Sequence, residues 1–502
     1  MPFSIIIRDR SDYLFYLALA MLPVDGTVIG VYMPFWTPIS PWLFLLYVAM
    51  NWRSVFSDAF ADLPDDSPNA SSDAAHSNES SGTATAMESA AISRAWNRLR
   101  MMADRNPAAT AATIIIFTCS CVGWFTTGIH LVQALNSLLA IAAAVSCVLS
   151  LRIAVQRKRL PWRPMINILL AVYWLAFAVG VIQRLAVSSD ITVIRDYFSH
   201  LMSREYITAG SKWGGNRPQF LFAEPSYIGM HLFGVLLPLY WLLRRRAPDL
   251  AYNLAALIIT FAIGSVVMGA GTRIVLDSLI VLMLVIVMST AWRQRETMKR
   301  GLLRLSGTIV LGILAVTLNS RLSSIASNGA DGDGSFFARI WQSLGVLCGM
   351  VQHPVNLLFG FGAGNLSDAT HTGASAAVHA LRSWGFDPTK ADQWYAGISP
   401  DSMFTMSAYT SFLGEFGVIG FVALVALIIE CITRAHVWNK ITICWLILVA
   451  YLYIQFEGYA FYAIPLFLWA LRTPKTVVTL TDTYAETRHR NNIRMLDSPL
   501  LS

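Results

Sequence analysis

The sequence predicts an all-α, polytopic integral membrane protein with about 12 transmembrane helices and a large, partly helical loop on the periplasmic side. Two observations carry this prediction. Hydrophobic residues make up 55% of the chain and charged residues only 13%, whereas soluble domains carry about 25% charged residues. Apolar runs of about 20 residues, the length at which a helix crosses a bilayer, also recur from one end of the sequence to the other.

The predicted spans follow from these apolar runs taken in order. The second and the last two are short, so we expect 11 to 13 crossings. The spans are residues 13–32, 39–52, 108–127, 129–151, 165–185, 222–243, 251–271, 274–292, 302–318, 406–433, 441–456 and 458–472.

The distribution of basic residues predicts how the spans are oriented in the membrane. The net charge is +7, and if the N-terminus is cytoplasmic, 27 of the 37 Lys and Arg residues fall in cytoplasmic connections. This bias is that of the positive-inside rule, and it places both termini in the cytoplasm. The same bias accounts for the positive charge without nucleic acid, which we do not expect as a partner.

Composition divides the chain into four parts. Residues 1–52 are N-terminal spans, 53–107 a disordered cytoplasmic loop rich in Ser, Ala and Asp, 108–473 a membrane domain, and 474–502 a cytoplasmic tail. Within the membrane domain, periplasmic loops 186–221 and 319–405 are long and rich in aromatic residues and glycines. Long loops of this kind are usually functional, so we place the active surface there.

Two short segments combine charge with a span end. Arg217 and Glu224 precede Pro225, a residue suited to a first helical turn, where a carboxylate is favoured by the helix dipole. Arg273 opens an apolar span, and Asp277 lies one turn further on the same face. Each segment admits a structural interpretation, a capped helix start or an internal ion pair. Each also fits a pocket for an anion at the membrane edge.

Two further segments lie in or after the second loop. Arg339 and Trp341 begin an amphipathic stretch that ends at His353-Pro354, before a glycine run over residues 360–364 that is typical of a tight turn. His371 and His379 follow on what we expect to be a loop. Their spacing is not that of metal ligands, and we predict no metal and no cofactor. Either histidine could act as a base, and a solvated loop histidine is the alternative.

At these residues the chain resembles the O-antigen polymerase and O-antigen ligase superfamily of bacterial inner-membrane proteins. The resemblance covers residues 215–425 and rests on four segments in a fixed order. They are Phe222-Ala-Glu224-Pro225-Ser226, Gly271-Thr272-Arg273, Arg339 to Asn365 with the glycine run, and Tyr409 to Gly420 with Leu413-Gly-Glu415-Phe-Gly417. In the ligase branch a His-Asn pair lies about nine residues before the glutamate; here that place is Met406-Ser407. This difference favours a polymerase, or a base drawn from His371, His379 or Glu224.

The resemblance implies metal-independent transfer of glycans from undecaprenyl diphosphate at the periplasmic face of the inner membrane, building an O-antigen, capsule or exopolysaccharide. For that reaction we expect Glu224, Arg273, Arg339, His371 and His379 as catalytic residues, with Glu224 the first choice of base and His371 and His379 behind it. Lipid-linked oligosaccharide would be the substrate, and a flippase and a chain-length regulator of the same pathway the protein partners. Substrate-binding residues would be Arg217, Ser226, Tyr227, His353, Trp213, Trp384, Trp394, Tyr395 and Glu415. Of these, Trp213, Trp384, Trp394 and Tyr395 could stack on sugar rings.

Three alternatives remain open at this stage. A ligase would transfer the glycan to a lipid or protein acceptor. A transporter or flippase for a lipid-linked saccharide would need polar groups along a path through the membrane. A scaffold of an envelope assembly complex would tolerate replacement of its periplasmic arginines and glutamate.

Overall fold

A computed structural model describes residues 9–26, 39–52, 106–202, 204–208, 216–328, 334–403, 405 and 407–454. Within these ranges the protein is helical and has no β-strand. Among the described residues, seven helices are long and apolar enough to cross a membrane. The all-helical class is therefore confirmed, and these seven helices are the candidate spans. The predicted loop 53–107, apart from its last two residues, the tail 474–502 and the span 458–472 lie outside the described residues.

The helices are numbered here in chain order. They are α1 Asp12–Ala20, α2 Ser40–Met50, α3 Pro107–Thr127, α4 Leu131–Arg152, α5 Trp162–Ser188, α6 Thr192–Leu201, α7 Leu237–Leu243, α8 Pro248–Val267, α9 Arg273–Ser289, α10 Arg295–Leu318, α11 Ser320–Asn328, α12 Gly334–Gln352, α13 Pro354–Phe359, α14 Leu366–Ser383, α15 Thr389–Ala396, α16 Ala408–Arg434 and α17 Lys440–Ile454.

Two predicted boundaries are corrected. Within the described part of the predicted span 13–32, residues 13–26, the helix ends at Ala20, and Pro23 and Gly26 follow it outside the helix. The predicted loop 186–221 begins inside α5, whose helix continues to Ser188. A short helix, α6, then occupies Thr192–Leu201 within that loop.

Residues 334–396 form a helical unit that we call the lobe. Its two longest helices, α12 and α14, approach closely because glycines face each other: a Cβ on Gly373 would collide with the carbonyl of Gly345. An aromatic core closes one end, where the rings of Trp341 and Trp394 lie 4.8 Å apart. Close backbone approach and aromatic packing make this loop region an ordered unit.

The glycine run anchors the lobe on the bundle. The indole nitrogen of Trp124, near the end of α3, donates to the carbonyl of Ala363 at 2.9 Å. Gly360, Gly362 and Gly364 all have positive φ, a conformation that favours glycine. A Cβ on Gly362 would also meet the Trp124 side chain. The glycine run is thus a tight turn, as its residue types predicted, and it packs directly against a candidate membrane span.

Candidate functional site

The segment that leads to Glu224 is held by buried amides. Gln183 of α5 accepts hydrogen bonds from the backbone N–H groups of Gln219 (3.0 Å) and Phe220 (2.8 Å) and donates to the carbonyl of Phe220 at 2.8 Å. Gln219 in turn accepts from the backbone N–H of Tyr206 at 2.9 Å. Both glutamine side chains are fully buried. Buried amides that are satisfied in this way fix a loop without regular secondary structure.

Glu224 lies at the end of this segment, where Pro225 opens a single 3-10 turn. The hydroxyl of Tyr206 donates to Oε2 of Glu224 at 3.2 Å. The guanidinium of Arg217 lies over the Tyr206 ring, 5.2 Å from its centre. Burial, and then the negative charge of Glu224, raise the pKa of Tyr206 above its ordinary value, so the phenol stays protonated and donates to the carboxylate.

The second group of charges begins at Arg273, the first residue of α9. Its Nε lies 3.7 Å from Oδ2 of Asp277, which confirms that the two residues share a face. Asp277 is fully buried, and its Oδ1 accepts a hydrogen bond of 2.6 Å from the hydroxyl of Tyr451 on α17. A Cβ on Gly229 would collide with Oδ2, so the chain after Glu224 packs against this carboxylate.

Arg339 of the lobe completes this group, since its charge acts on Asp277. We name Arg273, Asp277, Arg339 and Tyr451 the arginine–aspartate cluster. It joins α9, the lobe and α17, which are far apart in sequence. Two guanidiniums and one carboxylate leave the cluster with a formal positive charge, as expected of a site for an anionic group.

Two serine hydroxyls near the charged residues are buried without a partner. Ser226 follows Pro225, and Ser278 follows Asp277. Neither Oγ has a hydrogen-bond partner within the described ranges. The ring of Pro225 lies 3.8 Å from the position that a Cβ on Gly271 would take, so the Glu224 segment and the start of α9 are neighbours. Buried hydroxyls without a partner are uncommon and fit a position that a polar ligand completes.

The predicted histidines are not on a loop, and this expectation is corrected. His371 and His379 lie on α14, because Leu366–Ser383 is a continuous helix. Eight residues of helix separate them by about 12 Å along the axis. His371 donates from Nε2 to the carbonyl of Ile398 at 3.0 Å. His353 lies just beyond the end of α12, about 20 Å along that helix from Arg339.

The predicted aromatic contacts divide into two kinds. Trp384 is 57% exposed and accessible. Tyr395 is only 2% exposed, and its hydroxyl donates to the carbonyl of Trp341. Its predicted stacking on a sugar ring is therefore corrected, because the ring belongs to the lobe core and packs edge-on against Trp394. Trp213 lies outside the described residues.

Glu415 occupies a structural position. It is 4% exposed, and its carboxylate accepts hydrogen bonds from the hydroxyl of Ser137 at 2.5 Å and from the backbone N–H of Gly364 at 2.9 Å. Its own carbonyl accepts from the N–H of Gly362 at 3.0 Å. The side chain thereby connects α16, α4 and the glycine run. This arrangement supports a role in docking the lobe.

The sequence did not predict three residues that the structure places in hydrogen-bonding contact with a carboxylate. Tyr206 and Tyr451 are single tyrosines in unremarkable contexts, and only tertiary structure places them on Glu224 and Asp277. His130, between α3 and α4, donates from Nε2 to Asp368 at 2.9 Å, across 238 residues of sequence. No local spacing could have revealed that pair.

Comparison with family models, curated proteins and solved structures finds no significant match for this chain.

Proposed function

We propose that this chain is a membrane glycosyltransferase of the polysaccharide polymerase type. It would join lipid-diphosphate-linked oligosaccharide repeat units at the periplasmic face of the bacterial inner membrane, with undecaprenyl as the expected lipid. One observation carries the proposal: Arg273 lies 3.7 Å from buried Asp277, on which the charge of Arg339 from the distant lobe also acts, beside the segment that bears Glu224.

The chemistry assigns a role to each group. A sugar hydroxyl attacks the anomeric carbon of the donor, the bond from that carbon to the diphosphate oxygen breaks, and its electron pair leaves with the lipid diphosphate. Glu224 takes the proton of the attacking hydroxyl, a contribution of about 10²–10⁴ in rate. Arg273 and Arg339 stabilise the additional negative charge on the leaving diphosphate. Attack from the face opposite the leaving group inverts the anomeric configuration.

The location of the charges favours an enzyme over a transporter. Among the described residues, the charged side chains of the candidate site are not spread along a span. Arg217 and Glu224 lie between helices, Arg273 is the first residue of α9, and Arg339 lies in the lobe. Asp277, one turn inside α9, is the deepest member of the set. A transporter would need polar or charged groups at successive depths along a membrane span. A ligase uses the same donor chemistry and differs in the acceptor.

The test uses Arg273→Ala, Arg339→Ala and Glu224→Gln, with the membrane level of each variant measured by immunoblot. Arg382→Ala, an exposed arginine of the lobe, is the matched control. Purified protein in nanodiscs receives a lipid-linked repeat unit, and product lengths are resolved on gels. We expect the three variants to lose polymer and the control to retain it. Polymer formation at the wild-type level by all three would overturn the assignment.

Glycan analysis in cells separates polymerase from ligase. If the gene is deleted and single repeat units still reach their acceptor while long chains disappear, the protein is a polymerase. If every modified acceptor species disappears, it is a ligase. Transport of intact lipid-linked saccharide across proteoliposomes, without new glycosidic bonds, would instead indicate a flippase.

A further inference from the structure

We infer that Tyr451 is a positioning residue, which acts through Asp277 to hold the guanidinium of Arg273 in place for a diphosphate group. This inference rests on the proposed function, because it concerns how that site meets its leaving group. Tyr451 lies near the end of α17, outside the segments that resemble the polymerase superfamily.

The two oxygens of Asp277 have separate partners. Oδ1 accepts the hydrogen bond from the Tyr451 hydroxyl at 2.6 Å, and Oδ2 faces Nε of Arg273 at 3.7 Å. A carboxylate that is fully buried is costly unless it is paired and hydrogen-bonded. The tyrosine therefore fixes the orientation of the carboxyl plane, and that orientation decides which oxygen faces the arginine.

Gly229 closes a third side of the carboxylate. Because a Cβ at this position would collide with Oδ2, the carboxylate lies directly against the backbone of the segment that follows Glu224. Asp277 therefore cannot swing toward Gly229. With Tyr451 on one oxygen and Gly229 against the other, the carboxylate is held where it meets Arg273.

Arg273 and Asp277 form an ion pair in which Nε is the nitrogen that faces the carboxylate, at 3.7 Å, and this pairing orients the guanidinium plane. The terminal nitrogens at the other end of that plane are the ones that form the planar fork to a phosphate. A guanidinium that is oriented in advance pays less entropy on binding and less reorganisation as charge develops. Loss of the tyrosine hydroxyl would let the carboxylate rotate, and the arginine would lose its fixed direction.

Neighbouring Tyr409 provides a matched control. Its hydroxyl also bonds to α17, where it donates to the carbonyl of Ala450 at 3.1 Å, but it contacts the helix backbone and not Asp277. Each variant removes one tyrosine hydroxyl that joins two helices. In Tyr409→Phe the lost contact joins α16 to α17, and in Tyr451→Phe it joins α17 to α9. A general effect on helix packing would appear in both variants, whereas an effect through Asp277 would appear only in the second.

The experiment compares Tyr451→Phe, Asp277→Asn, the double variant and Tyr409→Phe in full-length protein in nanodiscs. Geranylgeranyl diphosphate serves as the probe of leaving-group binding, and steady-state polymerisation gives kcat and KM for the lipid-linked donor. For Tyr451→Phe we expect probe affinity and kcat to fall about tenfold, as for a lost hydrogen bond to a charged group. KM should change much less, since the extra charge exists only after bond cleavage begins.

The double variant decides whether the tyrosine acts through the aspartate. If it does, the double variant is no worse than Asp277→Asn alone, because the tyrosine has nothing left to orient. Wild-type probe affinity and kcat in Tyr451→Phe, or losses that add in the double variant, would overturn the inference. Equal losses in Tyr409→Phe would also overturn it, as an effect of packing.

Arg273→Ala separates this inference from the proposed function. If Arg273→Ala retains wild-type activity and probe binding, the anion site itself is wrong. If Arg273→Ala loses both while Tyr451→Phe retains both, the proposed function stands and only the positioning role fails. Should Tyr451→Phe fold poorly, Asp277→Glu tests the same geometry, since it keeps the charge but displaces both oxygens. The inference then predicts loss of probe binding, and retention would contradict it.

Discussion

Replacement of Glu415 by alanine is expected to destabilise the docking of the lobe on the membrane bundle. The carboxylate is almost fully buried and accepts hydrogen bonds from Ser137 on α4 and from the backbone N–H of Gly364. Glu415→Ala removes the acceptor of both donors at once. The hydroxyl and the amide would then remain buried without that partner, on two different elements.

The expected magnitude follows from these two contacts. A hydrogen bond to a charged group contributes roughly 1.5–3 kcal/mol. Glu415→Ala should therefore lower the free energy of unfolding by about 3–5 kcal/mol. Glu415→Gln keeps one oxygen for Gly364 and should cost about 1–2 kcal/mol. Ser137→Ala removes a single donor and should fall in the same range, about 1–2 kcal/mol.

The assay is unfolding of the purified protein in mixed micelles by titration with dodecyl sulfate, followed by tryptophan fluorescence. In a double-mutant cycle, Ser137→Ala should cost clearly less in the Glu415→Ala background than in the wild type, because the partner is already gone. Suppose instead that Glu415→Ala unfolds like the wild type and loses only its binding of the lipid-linked glycan substrate. The structural interpretation would then be refuted, and the substrate-binding role predicted from the sequence would be favoured.

Two glycine substitutions should separate stability from site geometry. Gly417 has a φ of +66° inside α16, and a Cβ there would collide with the carbonyl of Leu358. Gly417→Ala should therefore lower thermal stability in detergent by the equivalent of at least about 2 kcal/mol, while Gly307→Ala, in open space on α10, should not. Gly229→Ala would displace the carboxylate of Asp277. We expect it to reduce polymerisation several-fold and to lower the melting temperature less than Gly417→Ala does, because a side-chain end can shift more readily than a backbone carbonyl. A loss of stability equal to that of Gly417→Ala would contradict this.

Much of the fold was predictable because membrane helices depend on a local quantity. A span needs a continuous apolar run, and the predicted run 108–127 lies within one residue of α3, Pro107–Thr127. In the first predicted span the described helix ends at Ala20, and this end was not predicted because hydropathy alone does not register Pro23 and Gly26 in the residues that follow. Helix α14 was taken for a loop because its surface is rich in Ser, Thr and His, and its apolar side packs mainly against α12, with smaller contacts to α15 and α16.

The candidate site was predictable only in part. Arg273 and Asp277 are one helical turn apart, so their contact follows from the helix period. The approach of Arg339, and the hydroxyls of Tyr206 and Tyr451, depend on tertiary packing that no spacing encodes. Tyr395 shows the opposite error. An aromatic residue in a long loop fits sugar stacking, but it fits the core of an ordered lobe equally well, and only burial distinguishes the two.

The two polar regions of the structure depend on each other through α16. Near its start, the hydroxyl of Tyr409 donates to the carbonyl of Ala450 on α17, which directly precedes Tyr451 in the chain. About two turns further along α16, Glu415 accepts a hydrogen bond from Gly364 of the glycine run, and Gly417 packs against Gly360. The glycine run is joined through α13 to the end of α12. Arg339 lies on α12, and its charge acts on Asp277, so its distance from that carboxylate depends on where α12 is held. A lobe that loosens at Glu415 should therefore also withdraw Arg339, so Glu415→Ala protein that remains folded should bind diphosphate more weakly than wild-type protein.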